Sequence, residues 1–105
     1  MQRSRLEAEE RRTRAQVFAR SLARDLGQAD PSLEKILGFG STFESWRQYR
    51  LDSDIDLAIC GGNWDLLWSL LPDSEFEISL IELDLQPKAF VEQVRAQGVV
   101  LYEKQ

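Results

Sequence analysis

Two aspartates spaced two residues apart, Asp54 and Asp56, lie in an otherwise apolar stretch of the chain. Because residues i and i+2 of a β-strand point to the same face, this spacing places the two carboxylates side by side. Neighbouring carboxylates repel each other, and burying either one without a counter-charge is costly. Magnesium in proteins is commonly held by one or two carboxylates together with substrate phosphates. The pair therefore predicts a site for a divalent metal and a phosphate-bearing substrate.

A Gly-Ser turn, Gly40-Ser41, follows a short apolar segment upstream of the aspartates. Glycine lets the backbone approach a phosphate closely, so that backbone amides can point at the anion, and the Ser41 hydroxyl adds a donor. A lone Gly-Ser is usually only a turn, and a lone Asp-x-Asp is more often a surface pair. When the two motifs lie together at strand ends, the Gly-Ser turn can bind phosphate and the aspartate pair can bind metal, which is what phosphoryl transfer requires.

The composition of the 105-residue chain narrows the chemistry further. There is no histidine and Cys60 is the only cysteine, so any metal must be held by oxygen atoms, which favours Mg²⁺, Mn²⁺ or Ca²⁺. The net charge of −5 argues against stable binding of long nucleic acids, which are usually gripped by basic surfaces. No apolar stretch reaches the ~20 residues of a membrane span, and the charged N-terminus lacks the apolar core of a secretory signal. We therefore expect a cytoplasmic protein.

Hydrophobic periodicity and chain breakers predict an alternation of helices and strands in one domain spanning 1–105. The predicted helices cover 5–26, 42–49, 63–71 and 87–97, the last ending at Gly98. The predicted strands cover 33–39, 54–60, 76–83 and 99–102. Alternation of this kind gives an α/β domain, with an N-terminal helix (1–27) and a core (33–102) in which helices cover one small sheet.

The run 53–57 (Ser-Asp-Ile-Asp-Leu), preceded by Gly40-Ser41, resembles the signature of the DNA polymerase beta-like nucleotidyltransferases. More narrowly, the chain is similar to the minimal nucleotidyltransferases (MNT) that are encoded beside small all-helical HEPN proteins. The resemblance runs from about residue 33 to 102 and includes the closing strand, helix and strand of the family. Those closing matches are 78–83, Pro87 and 98–103. The resemblance implies a polymerase-beta-like fold with a mixed sheet covered by helices.

The resemblance also implies an activity and a partner. In that family the Gly-Ser turn contacts a triphosphate and the Asp-x-Asp pair binds metal ions, which assigns these roles here to Gly40, Ser41, Asp54 and Asp56. The implied reaction uses Mg²⁺ or Mn²⁺ and transfers a nucleoside monophosphate, AMP from ATP or its equivalent from another nucleoside triphosphate, to a hydroxyl. The HEPN-paired members are antitoxins, some of which adenylylate a tyrosine of the partner ribonuclease and silence it. A HEPN-type helical protein is accordingly the expected partner.

One departure from the family pattern bears on catalysis. The third metal-binding carboxylate of the family lies on a later strand, and alignment of the ending puts Ser79 in its place. Glu77 lies two residues earlier on the same strand face and is the candidate substitute, although same-face neighbours lie about 6.6 Å apart. Two functions therefore stay open. One is an enzyme in which Glu77 completes the catalytic site, and the other is a binding module that neutralises its partner by contact, with weak or no chemistry.

Two segments are candidates for contact with a partner. The segment 63–71 carries Trp64, Trp68 and four leucines, which is more apolar surface than a single buried stripe needs. One interpretation of this surface is packing in the core, and the other is that the excess forms a contact site for a partner. The highly charged start of the N-terminal helix, between Glu7 and Arg14, is interpreted either as a solvated extension or as a contact arm.

Overall fold

A mixed sheet organises the chain. In the computed structural model, residues 2–44 and 46–105 are described, and these residues form one four-stranded sheet and three α-helices. The elements in chain order are α1 (Gln2–Ala29), β1 (Leu33–Phe39), β2 (Ile55–Gly61), α2 (Trp64–Ser69), β3 (Ile78–Glu82), a 3-10 turn (Leu83–Leu85), α3 (Lys88–Gln97) and β4 (Val99–Glu103). Within these described residues, no helix combines the length and the apolar character that crossing a membrane requires.

The strand order across the sheet is β3-β2-β1-β4. Strand β1 pairs antiparallel with β2 on one side and with β4 on the other, and the β1–β2 register places Phe39 opposite Asp56. Strands β2 and β3 are parallel, so the chain must cross over between them, and α2 forms part of that connection. Antiparallel and parallel pairs therefore occur side by side, as the resemblance to a mixed-sheet family implies.

One face of the sheet is covered by α1. Three alternating residues of β2, Ile55, Leu57 and Ile59, point to this face and are buried, as the two-residue period of a strand predicts. The buried residues of α1 recur at helical spacing and belong to the same cluster; they are Ala15, Ala19, Leu22, Ala23 and Leu26. Three of these five positions are alanine, whose small side chain lets the helix lie close to the strands.

The opposite face carries a smaller apolar cluster beneath α3. Its buried members are Leu37, Ala58, Cys60, Leu83 and Val94. Because Asp56, Ala58 and Cys60 alternate with the residues that face α1, Asp56 lies on the α3 side of the sheet. Strand β2 is thus apolar on both faces along most of its length, and Asp56 lies where that double burial ends.

The segment 42–49, predicted as a helix, is not helical where the structure describes it, at 42–44 and 46–49. The amide of Phe43 donates a hydrogen bond to the carbonyl of Gly40 at 3.1 Å, which closes a turn, and the Phe43 ring is buried. The ring lies against Gly38, where any Cβ would overlap it. Long-range packing of this aromatic ring overrides local helix propensity, which is weak in so short a segment.

Two strands begin later than predicted. Strand β3 begins at Ile78 rather than at residue 76, although Phe76 is buried in the core beside α1. Strand β2 begins at Ile55, so Asp54 precedes the strand by one residue. The apolar pattern therefore predicts which residues are buried more accurately than it predicts where strand pairing begins.

Helix α3 ends at Gln97, and Gly98 caps it, but this glycine has extended backbone (φ −74°) and not the left-handed conformation common at helix ends. Crowding explains why glycine is needed there. A Cβ on Gly98 would lie 2.5 Å from the carbonyl oxygen of Val94 and 3.1 Å from that of Gly38. The residue thus lets α3 end directly against β1.

Asp30 connects the end of α1 with the starts of β1 and α2. Its Oδ1 accepts hydrogen bonds from the amide and the hydroxyl of Ser32, at 3.0 and 2.6 Å, and its Oδ2 accepts one from the amide of Asn63 at 2.6 Å. The side chain is only 2% exposed. The hydrogen bond from Asn63 and that from the Ser32 hydroxyl hold the pKa of Asp30 below its ordinary value. The ionised carboxylate is therefore the form that the fold stabilises.

Replacing Asp30 by asparagine should lower the free energy of unfolding at neutral pH by about 1–3 kcal/mol, because a charged acceptor in a buried network is lost. A carboxyl whose folded pKa is lowered contributes stability that is present above its unfolded pKa, about 3.8, and is lost as the pH falls through the folded value. The difference between wild type and Asp30→Asn should therefore shrink in acid. Urea unfolding at about pH 7 and about pH 3 measures it, with exposed Asp25→Asn as the control. Equal losses for the two variants would contradict the assigned role of Asp30.

Candidate functional site

The Gly-Ser turn begins where β1 ends. Gly40 has a φ of +74°, in the region that side-chain-bearing residues rarely adopt. A Cβ on this residue would also overlap Oδ2 of Asp56. Glycine is thus required both by the backbone conformation and by the approach of a carboxylate, and Ser41 follows it partly exposed.

The two aspartates reach this turn in different ways. Asp56 is a half-buried residue of β2 that contacts Gly40 directly. Asp54 lies just outside the strand and is exposed, and its carbonyl accepts a hydrogen bond from the buried hydroxyl of Thr42 at 3.0 Å. This bond attaches the start of β2 to the segment after Ser41. The structure therefore brings Gly40, Ser41, Asp54 and Asp56 to one end of the β1–β2 pair.

The charge of the site is unbalanced toward negative. Burial, followed by repulsion from Asp54, raises the pKa of Asp56 to about 6, and Glu44 adds to the increase. The guanidinium of Arg47 opposes these effects. A carboxylate pair held in this way favours a cation beside it, since positive charge would stabilise the ionised form of Asp56.

Glu44 is a site residue that the sequence pattern does not reveal, and it lies beside Arg47. The Glu44 side chain is 4% exposed and forms an ion pair with Arg47, and the Arg47 guanidinium also lies 4.6 Å from the centre of the Trp46 ring. A buried glutamate in a loop has no sequence signature, because its burial depends on how the loop folds back over the sheet. The one available signal is its position shortly after the Gly-Ser turn.

These residues line a cleft of about 220 Å³ between the turn and α3. Its walls include Gly40, Asp56, Glu44 and Arg47, together with three residues of α3, which are Phe90, Gln93 and Val94. Ligand pockets usually have volumes of about 300–1,000 Å³, so this cleft suits the phosphate part of a ligand better than a whole nucleotide.

A hydroxyl lies where the resemblance implies a third carboxylate. In the parallel pairing of β2 and β3, Ser79 is the register partner of Asp56. Glu77 precedes β3, its carbonyl accepts a hydrogen bond from the amide of Ile55 at 2.9 Å, and its side chain is exposed. Among the residues whose side chains are described, no three acidic or cysteine side chains are grouped closely enough to hold a metal ion. Asp54 and Asp56 can supply two carboxylate ligands, and the remaining ligands would come from substrate oxygens and water.

Solved structures share this fold. The structure of a toxin–antitoxin with AMP-PNP matches with a TM-score of 0.58 and 23% identity, over 82% of this chain and 74% of that chain. The structure of a toxin–antitoxin MntA–HpeT mutant, which carries aspartate-to-glutamate changes at two positions two residues apart, matches with a TM-score of 0.52 and 25% identity, over 81% of this chain and 70% of that one. No protein-family model matches the chain, and no curated protein sequence does. The predicted fold class, a small mixed sheet covered by helices, is confirmed.

Replacing Asp54 by asparagine should lower the pKa of Asp56 from about 6 toward its ordinary value of 3.8 without restoring it, because burial, the larger cause, remains. A carboxyl whose folded pKa is raised destabilises the fold increasingly as the pH rises from about 3.8 past 6. The decline of stability over this range should therefore be shallower in Asp54→Asn. Carbon-detected NMR titration of the Asp56 carboxyl measures the shift, with exposed Asp52→Asn as the matched control. An Asp56 pKa that is identical in wild type and Asp54→Asn would contradict the proximity of the two charges.

Proposed function

We propose that the chain is a metal-dependent minimal nucleotidyltransferase of the DNA polymerase beta-like superfamily. In this proposal it transfers a nucleoside monophosphate, AMP from ATP, to a hydroxyl of a HEPN-type toxin and thereby acts as its antitoxin. The observation that carries the proposal is the contact of Asp56 with Gly40, which places a carboxylate pair beside a glycine turn in a fold shared with toxin–antitoxin structures.

The solved structures add two points of support. One is a structure with AMP-PNP, an analogue of ATP, which favours an adenine nucleotide as the ligand here. The other carries aspartate-to-glutamate changes at the same two-residue spacing that separates Asp54 from Asp56. The chain spans 74% and 70% of those two chains, and it includes the strands, the turn and the closing helix on which the proposed site depends.

The residues of the site have separable roles in this proposal. Gly40 lets the backbone approach the triphosphate, and the amide and hydroxyl of Ser41 donate to its oxygens. Asp54 and Asp56 would hold Mg²⁺ or Mn²⁺, which when bound supplies positive charge to the triphosphate and to the attacking hydroxyl. The planar guanidinium of Arg47 lies at the cleft and can donate hydrogen bonds to a phosphate oxygen once its ion pair with Glu44 is broken.

The reaction itself is a substitution at the α-phosphorus. The acceptor oxygen forms a bond to that phosphorus, the bond to the bridging oxygen of pyrophosphate breaks, and the acceptor proton is released. The chain contributes by holding the triphosphate against Gly40 and by excluding water with the apolar wall that Phe39 and Phe90 form, whose rings meet edge to face at 5.7 Å. Glu77 is the candidate for orienting the acceptor hydroxyl.

A second function is favoured by one specific observation. Ser79, a neutral residue, is the register partner of Asp56, and the described side chains include no group of three suited to a metal. A protein with this site would bind nucleotide and neutralise its partner by contact, with slow transfer or none. The two functions differ in whether a labelled nucleotide is transferred to the co-expressed partner.

Binding and transfer should respond differently to substitution. Magnesium-dependent affinity for AMP-PNP, measured by calorimetry, should fall at least about tenfold in Asp54→Asn and in Asp56→Asn, because the metal loses an anionic ligand. If Glu77 supplies the third carboxylate, Glu77→Ala should abolish transfer of labelled AMP with nucleotide affinity retained. If no residue supplies it, the wild type should bind nucleotide but transfer AMP slowly, and Ser79→Asp should raise the rate about tenfold or more.

Exposed Asp52→Asn serves as the control and should leave both quantities unchanged. Transfer that survives Asp54→Asn would exclude the metal mechanism. If the wild type and Ser79→Asp both bind nucleotide but neither transfers it, neutralisation by contact is the favoured function.

A further inference from the structure

A second and larger groove adjoins the cleft. It lies between the N-terminal part of α1 and the segment 47–51, and its volume is about 650 Å³. Among the residues whose side chains are described, four arginines line it, which are Arg5, Arg12, Arg47 and Arg50, and Glu9 is the one acidic residue. Ala8, Tyr49 and Leu51 provide apolar and aromatic surface between the charges.

The charge of this groove opposes that of the whole molecule. The chain has 18 acidic and 13 basic residues and a net charge of −5, yet arginine outnumbers acid in this lining. Two of the four arginines have structural partners, since Arg12 donates to the carbonyl of Thr42 at 3.2 Å and Arg47 pairs with Glu44. The guanidinium groups of Arg5 and Arg50 have no ion pair or hydrogen bond with any side chain or carbonyl that the structure describes. These two are therefore available to an external anion.

The groove and the cleft meet at Arg47, which lines both. A ligand in the groove would therefore end beside the carboxylate pair. At this junction the Trp46 ring, 61% exposed, lies against the guanidinium of Arg47, and Leu51, 49% exposed, lines the groove. Both offer apolar surface to a bound chain. A chain that lies along the groove could present a hydroxyl to the cleft without displacing a nucleotide bound there.

We propose that this groove binds an acidic segment of the protein that supplies the acceptor hydroxyl. The proposal rests on the proposed transferase function and specifies how the acceptor is recognised. Guanidinium forks match carboxylates in pairs, and charge complementarity of this kind sets orientation and association rate. A peptide fits the lining better than a nucleic-acid strand does, because Ala8 and Leu51 can contact the apolar side chains of a peptide.

The test compares two labelled probes by fluorescence anisotropy. One is an eight-residue peptide rich in glutamate and serine, and the other is an eight-nucleotide single strand. The variants are the double charge reversal Arg5→Glu with Arg50→Glu, and a matched control on the exposed surface of α1, Arg20→Glu with Arg24→Glu. All four positions lie at the surface, and circular dichroism verifies that both variants fold.

The wild type should bind the peptide more tightly than the strand, with an affinity that falls as salt is added. The groove variant should lose about tenfold or more in peptide affinity, whereas the control should stay close to wild type. Affinity for AMP-PNP with magnesium should be the same in all three proteins, which separates a failure of the groove from a failure of the nucleotide site. Absence of peptide binding, an equal loss in the control, or tighter binding of the strand that depends on Arg5 and Arg50 would each overturn the proposal.

Discussion

The close approach of the Asp56 carboxylate to the backbone of Gly40 is the constraint on which the rest of the site depends. It is possible only because residue 40 lacks a Cβ and because the register of β1 against β2 sets Phe39 opposite Asp56. That register is held in turn by the alternate burial of Ile55, Leu57 and Ile59 beneath α1. A slip of one residue would move all three to the wrong face and carry Asp56 away from the turn.

The electrostatics of the cleft follow from this approach. Burial and repulsion raise the pKa of Asp56, and the chain compensates in part with one nearby cation, Arg47. Arg47 is shared with Glu44, so the compensation is incomplete. Sites that bind charged ligands commonly carry such an imbalance in the free protein, and it costs stability that the core must supply elsewhere. The carboxylates of the cleft attract a cation, whereas the arginine-lined groove beyond Arg47 attracts an anion. The two halves of the proposed substrate path therefore attract groups of opposite charge.

The sequence is sufficient to predict the elements whose pattern is local. The apolar alternation of β2, the uninterrupted α1, and the strand before Gly40 are each recognisable from periodicity and chain breakers alone. The pairing of Gly40-Ser41 with Asp54 and Asp56 is recognisable because residue types and spacing both restrict the chemistry. The helix expected at 42–49 fails because the Phe43 ring packs against Gly38, a contact between the loop and the sheet that no local pattern records.

Other features depend wholly on three-dimensional arrangement. Burial of Glu44 and its pairing with Arg47 result from the loop folding back over the sheet, and the groove forms only where the first turns of α1 meet the segment 47–51. The alignment of Ser79 with Asp56 follows from the parallel register of β2 and β3, which the resemblance to a family implies and which hydrophobic periodicity does not. Sequence thus specifies candidate groups, whereas tertiary packing determines which of them share a site.

Paramagnetic NMR with Mn²⁺ and AMP-PNP tests the central claim most directly, because it locates the metal–nucleotide complex without requiring turnover. At substoichiometric Mn²⁺, the account predicts that the amide signals of Gly40, Ser41 and Ile55 broaden first, and that this broadening disappears in a variant carrying both Asp54→Asn and Asp56→Asn. Broadening centred elsewhere, such as at Glu82 and Asp84, or broadening at the turn that persists in the double variant, would contradict the account.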